Sequence, residues 1–236
     1  MTWTNLLAYL RMRVSESGTN DGPITDVNML IITNLVCKEF ADLTECLPTY
    51  TQFDTVAETQ IYNISAEIPT FLRMRKEGAY WYDTDNTRWI QLRSRTFQQI
   101  SERERTWINR SSGMPLYFWI EGNEIGLHPK PEDTTTGDTG VRVYHFAQST
   151  DMSGGTHYPF SGSTTQYPHL AHYDETIVDG VIYKVKSILG KIQESSTAQQ
   201  IFYAKCDKIK SELRERPDLV KDTILHGAGY SIQDFS

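Results

Sequence analysis

The sequence predicts an α+β chain: a helical bundle formed by both chain ends, with an inserted small antiparallel β domain. Three observations lead there. Apolar residues recur at helical spacing before residue 48 and again after residue 174. Between Tyr50 and about Val143 the pattern changes to short runs of strand-forming residues broken by Gly, Pro, Asn and Asp. Within that stretch, Leu116-Tyr117-Phe118-Trp119-Ile120, then Gly122-Asn123, then Glu124 to Leu127 is the clearest hairpin in the chain.

Taken in order, the first helix runs from about Thr4, a candidate N-cap, to Val14, with Leu6, Leu7, Leu10 and Val14 as its stripe. The polar run 15–23, holding Gly18, Asn20, Asp21, Gly22 and Pro23, breaks it. Thr25 caps a second helix reaching about Leu43, with Val27, Leu30, Ile31, Leu35 and Phe40 as its predicted apolar face and Ile24 stapling its start. Two short helices cannot bury their stripes alone, so a partner is expected from the far end of the chain.

The β block is expected to hold five to seven strands. Gln52 to Ile64 alternates loosely, and Ile68-Pro69 redirects the chain. Ala79 to Tyr82 and Arg88 to Leu92 flank a polar loop at Asp83 to Thr87. Arg95 to Ile108 reads as a helix with Phe97, Ile100, Glu104 and Trp107 on one face, and Val141 to Phe146 supplies a further strand. Residues 148–173 are rich in Gly, Ser, Thr, Pro, Tyr and His. At that length they form either a functional loop or a mobile one.

Asp174 then caps a helix whose Ile177, Val178, Val181, Ile182, Val185, Ile188, Leu189 and Ile192 cover a wide arc, so it must be buried on much of its circumference. A last helix starts near Thr197, carries Phe202, Cys206, Ile209 and Leu213, and ends at Pro217. The expected organisation is therefore 1–48 N-terminal helices, 49–147 inserted β domain, 148–173 long loop, 174–216 C-terminal helices and 217–236 an extended tail.

Composition narrows the function classes. The 23 Lys plus Arg against 30 Asp plus Glu give a net charge of −7, and basic residues gather only locally, at Arg73, Arg75 and Lys76 and at Arg88, Arg93 and Arg95. Stable nucleic-acid binding by the chain alone is not expected, whereas an acidic surface suits a passage through which DNA must slide without sticking. The 13 Tyr and 5 Trp fit either extensive interfaces or an aromatic-heavy β core. Cys37, Cys46 and Cys206 are too few and too scattered for a disulfide framework or a zinc site, and Cys37 and Cys206, in helical patterns, read as small core residues. No stretch approaches a membrane span of about 18–20 apolar residues. The N-terminus shows no basic segment followed by an apolar run, so no secretory signal is expected.

Chemistry is hard to find. Five of the six His lie between His128 and His172, and His169 and His172 stand near Asp174 and Glu175. Their loop setting offers no positioned second shell for a metal. Asp83 and Asp85 are explained by a polar hairpin tip, where nothing desolvates a carboxylate into a general acid. Ser153-Gly154-Gly155 lacks the strand-to-helix context of a phosphate loop, and Asn109-Arg110-Ser111 is a glycosylation triplet without a secretory setting. No catalytic, cofactor-binding or metal residues are assigned, and no enzyme activity is expected.

The order of features is more specific than any one of them. Ile68-Pro69-Thr70-Phe71-Leu72-Arg73 precedes a strand pair, and Gly113-Met114-Pro115-Leu116-Tyr117-Phe118 leads into Gly122-Asn123-Glu124-Ile125-Gly126-Leu127-His128-Pro129-Lys130-Pro131. Val141-Arg142-Val143-Tyr144-His145-Phe146 follows, then a loop with proline, then Tyr173-Asp174-Glu175-Thr176-Ile177-Val178-Asp179-Gly180-Val181. This succession, over about residues 1 to 195, resembles the head-to-tail adaptor (connector or neck) proteins of tailed bacteriophages.

The resemblance implies a structural virion protein with no cofactor, located in the neck between capsid and tail and assembled in the host cytoplasm. It would form a ring of twelve copies that docks under the portal protein and extends the DNA channel. Tail or tail-fibre proteins would bind below, and genomic DNA would pass through without stable specific binding. The family's portal contact is commonly C-terminal, which here implies the segment after Arg216, with Ile232 and Phe235 as anchors. The long loop and this tail would order on assembly. Competing readings are another neck or tail protein (stopper, tail-completion or fibre-anchoring subunit), a tail-associated hydrolase, or a carbohydrate- or protein-binding β module. The apolar C-terminal helix argues against the last.

Overall fold

The computed structural model describes residues 1–14, 24–103, 111–135 and 140–215. In chain order the helices are α1 (Trp3–Val14), α2 (Asp26–Thr44), α3 (Ile64–Glu67), α4 (Phe97–Arg103), α5 (Asp174–Ile188) and α6 (Ile192–Glu215). The strands are β1 (Pro48–Phe53), β2 (Ile61–Asn63), β3 (Phe71–Asp83), β4 (Arg88–Gln91), β5 (Arg93–Ser94), β6 (Tyr117–Glu121), β7 (Glu124–His128) and β8 (Val141–Ala147). The chain divides into two compact units, Met1–Leu47 with Gln148–Ser236, and Pro48–Ala147. The α+β class expected from the sequence is the one observed.

In the first unit α5 is the element the others cover. Its Ile177, Val178, Val181, Ile182 and Val185 are buried, and it packs on α1, α2 and α6. Close approach is possible because position 180 has no side chain: a Cβ on Gly180 would stand 2.5 Å from Val36 of α2 and 2.8 Å from Phe202 of α6. Around this contact lie Met29, Val36, Cys37 and Phe40 of α2 and Phe202, Cys206 and Ile209 of α6.

Polar groups fix the same three helices. Glu39 of α2 accepts hydrogen bonds from the Tyr183 hydroxyl (2.8 Å), the Tyr203 hydroxyl (2.7 Å) and the Lys184 ammonium (2.6 Å). Burial alone would raise its carboxyl pKa, but these donors outweigh it and hold the carboxyl below the ordinary range. At the end of α2, Glu45 adopts a left-handed φ of 57° and closes the helix with its N–H on Ala41. Its carboxylate is held by Lys210 (3.0 Å) and Arg214 (3.5 Å) of α6, which favours a charged residue at a position usually given to glycine.

Two apolar stripes differ from expectation. The buried face of α2 is Met29, Ile32, Val36, Phe40 and Ala41, while Val27, Ile31 and Leu35 are 67%, 52% and 52% exposed. Both sets have helical spacing, so periodicity alone could not choose between them. Only Phe40 of the predicted face is buried, and Leu30 is half-buried. Likewise Ile188, the last residue of α5, is exposed, and so is Ile192, because Gly190, at φ 73°, turns the chain before the stripe can continue. Helix α6 consequently starts at Ile192 rather than near Thr197. Pro217 lies outside the described residues. Thr25 caps α2 by accepting from the Asn28 N–H. Thr4 lies inside α1, its hydroxyl donating to the Gly155 carbonyl (2.9 Å).

Residues 148–167 contain no helix or strand, yet they pack within the first unit. Met152 and Phe160 are buried, and the Phe160 ring meets Phe40 at 5.4 Å. The Asn34 side chain donates to the Met152 carbonyl (3.1 Å) and accepts from its N–H (3.0 Å). Lys38 pairs with Asp151, and a 3₁₀ turn at Pro168–Tyr173 leads into α5.

The second unit holds two four-stranded sheets, ordered β1-β8-β3-β4 and β2-β7-β6-β5. Among the described residues the strands number eight, above the expected five to seven, and β5 pairs with β6 in parallel, so the domain is not purely antiparallel. Phe53, Trp81, Val141 and Val143 from the first sheet share a core with Tyr62, Phe118, Ile125 and Leu127 from the second. The β6–β7 hairpin turns at Gly122, whose φ of 58° is what the first position of a II′ turn requires. Gly126 faces Trp119 across the hairpin, and a Cβ there would fall 2.0 Å from the indole. Helix α4 starts with a reciprocal cap: the Gln99 N–H donates to the Thr96 hydroxyl (3.2 Å) and the Thr96 N–H to the Gln99 side chain (3.1 Å). Glu104 and Trp107, expected on this helix, lie outside the described residues.

Two outcomes are expected. Gly180→Ala raises helix propensity but forces a methyl into Val36 and Phe202, so it destabilises by about 1–3 kcal/mol, read by urea unfolding. A carboxyl with a depressed folded pKa contributes stability that is complete above its ordinary value of 4.5 and is lost as pH falls through the folded value. Glu39→Gln therefore shows a shallower loss of stability than the parent as pH falls below 4.5.

Candidate functional site

Reactive groups are either structural or scattered. Burial pushes the thiols of Cys37, Cys46 and Cys206 up to about 12, so they behave as core residues rather than nucleophiles. Asp83 accepts from the N–H groups of Asp85 (3.1 Å) and Asn86 (3.3 Å) and from the Asn86 amide (2.7 Å), bonds that hold its carboxyl below the ordinary range. It builds the turn after β3. His169 bonds the Cys46 carbonyl at 3.4 Å, and burial lowers its pKa. His172 is exposed, and Asp174 takes the first position of α5, facing the Met1 amino group. Among the described residues no group of three or more His, Cys, Asp or Glu is placed to hold a metal ion. Asn109, Ile232 and Phe235 lie outside the described residues.

The structure does bring together the two basic clusters that the sequence kept apart. Arg75 and Lys76 of β3 and Arg93 and Arg95 line one groove of about 990 Å³ in the second unit, while Arg73 and Arg88 do not. The groove is not a phosphate channel. Arg75 is buried, paired with Glu77 (3.1 Å) and stacked 5.9 Å over both Tyr144 and Phe146. Glu77, Glu121, Phe97, Phe118 and Ile120 complete the walls, giving mixed charge over an apolar floor.

The aromatic surplus has a structural destination. Between β1 and β4, on the face of the first sheet away from its core, Arg142 lies 4.7 Å over the Tyr50 ring and 4.1 Å over the Trp89 ring. Tyr144 continues the row with Tyr50 at 5.8 Å and Tyr80 at 5.4 Å. Such cation–π and edge contacts stabilise an open sheet face.

The exposed row Val27, Ile31 and Leu35 on α2 is different. These are three aliphatic side chains at i, i+4 and i+8, on the side of the helix opposite Val36 and Phe40. Among the described residues of the first unit they stay exposed. No helix of the described residues is long and apolar enough to cross a membrane.

The model of one protein family, the SU10 adaptor proteins, matches residues 1–223 of the chain. No curated protein matches it significantly.

The two faces of α2 should respond oppositely to substitution. Phe40→Ala is expected to cost about 3–5 kcal/mol in urea unfolding, whereas Val27→Ser, Ile31→Ser and Leu35→Ser each stay within about 0.5 kcal/mol of the parent.

Proposed function

The chain belongs to the SU10 adaptor protein family, structural adaptors of phage virions, and from that membership we propose that it is a head-to-tail adaptor. In this reading it forms a ring, of twelve copies if it matches a dodecameric portal, which docks under the portal protein and continues the DNA channel to the tail. It works by position and carries out no reaction. The family match over residues 1–223 is the observation that carries the reading. The apolar row on α2, exposed among the described residues, supports it, since a subunit that functions only in an assembly must keep adhesive surface unburied in the isolated chain.

The net charge of −7 suits a wall along which DNA slides, because repulsion from phosphate prevents sticking. Portal binding is assigned to the segment after Arg216, with Ile232 and Phe235 as anchors. Tail or tail-fibre proteins are the partners on the opposite side, and the protein resides in the virion neck.

Native mass spectrometry of the full chain, alone and with the portal ring of the same phage, tests this. A complex carrying a full ring of this subunit on the portal is the expected result. Absence of any association with the portal would overturn the adaptor assignment in favour of a stopper or fibre-anchoring subunit.

A further inference from the structure

We propose that the groove of the second unit takes an extended, acidic peptide segment of a partner protein, added as a strand beside β5. This goes beyond the ring reading and does not depend on it. Two independent observations point to such an occupant: open strand edges and unpaired positive charge lie in the same walls.

Strand β5 is the last of its sheet and pairs with β6 alone. Arg93 and Arg95 turn their N–H groups toward β6, donating to the Leu116 and Phe118 carbonyls (both 2.9 Å). Alternation along the strand turns the N–H and C=O of Ser94, which lines the groove, away from β6. Among the described residues neither group has a partner. The facing wall is β3 from Met74 to Gly78. Strand β4 pairs with β3 only over Tyr80–Asp83, so it does not reach this stretch. At Glu77 the carbonyl accepts from the Gln91 side-chain amide (2.9 Å) in place of a strand N–H. Edges left open in this way are where an extended peptide adds by main-chain hydrogen bonds.

The charge of the walls says what kind of peptide fits. Arg75, Lys76, Arg93 and Arg95 line the groove against Glu77 and Glu121, a positive excess in a chain whose net charge is −7. Arg75 is paired with Glu77, and Arg95 lies 5.8 Å over the Tyr117 ring. Lys76 and Arg93 are exposed, and among the described residues their side chains have no partner. Carboxylates on the incoming segment supply one. The floor is apolar, with Leu92 and Phe118 buried and Phe97 and Ile120 39% and 37% exposed. A strand of alternating acidic and apolar residues meets both demands at once, because its side chains point alternately to opposite faces. Nucleic acid fits less well: its phosphates are evenly spaced and would meet Glu121 as well as the cations.

The test uses the free full-length chain without portal, so its outcome is separate from that of the ring reading. A yeast-displayed library of random peptides, on the order of ten residues long, is selected against the parent. The enriched peptides should be acidic and apolar in alternation. Synthesised with a fluorescein label, they should bind in anisotropy measurements, and Lys76→Glu with Arg93→Glu should weaken them at least about tenfold. Ser94→Pro removes only an N–H that the fold does not use, so the melting temperature should stay near the parent's while peptide binding is lost. In the parent, exchange of the Ser94 amide should slow when the peptide is bound. No enrichment, enrichment of basic peptides, or binding that survives either variant would overturn the proposal. Tighter binding of a labelled oligothymidylate at the same groove would also overturn it, in favour of single-stranded nucleic acid.

Discussion

Helix α5 carries apolar side chains around so much of its circumference that no single neighbour can cover it, and the first unit is arranged to meet that demand. Segments more than a hundred residues apart must converge on it: α1 and α2 from the start of the chain, α6 from the end. The β unit is thus carried within a loop of the helical one, and its first and last strands, β1 and β8, pair as neighbours, with Pro48 opposite Phe146. A large insertion costs little when its ends are already together, since closure entropy grows only slowly with loop length.

Burial of α5 brings polar obligations. Tyr183 points its hydroxyl where water is scarce and needs an acceptor, which Glu39 supplies; Glu39 in turn needs a cation, which Lys184 supplies. The apolar contact at Gly180 sets how close the helices come. The carboxylate network at Glu39 and Glu45 sets their register. Packing fixes distance and hydrogen bonding fixes phase, and the combination gives α2 a defined outer face.

Much of this was legible in the residues. The hairpin at Gly122-Asn123 was readable because turn chemistry is local. The helices were readable because their periodicity is long, and the α+β class followed from both. What was not legible required knowledge of neighbours. α2 has apolar residues on two opposite sides, and only the position of α5 and α6 decides which is core. The anchors Met152 and Phe160 follow no period, so the packing of this loop was not readable. The parallel pairing of β5 with β6 joins strands separated by a helix and has no turn signature. The groove escaped for a similar reason: Arg75 and Lys76 meet Arg93 and Arg95 only because β3, bulged at Gly78, folds back on β4. As for the exposed row on α2, the sequence did name Val27, Ile31 and Leu35, but assigned them to the interior.

The missing side chain at position 180 also has a historical reading. Three helices share that point, with Val36 and Phe202 closing over it, so the three positions cannot vary independently. Among relatives that keep the bundle, a lineage that acquires alanine or serine there should show a compensating reduction at the place of Val36 or Phe202. The order of change is constrained as well. The neighbour must shrink first, leaving a small void that the new side chain then fills, because the reverse order passes through an overpacked ancestor. Gly180 would then record, in the substitutions permitted around it, how tightly this bundle has been held over its descent.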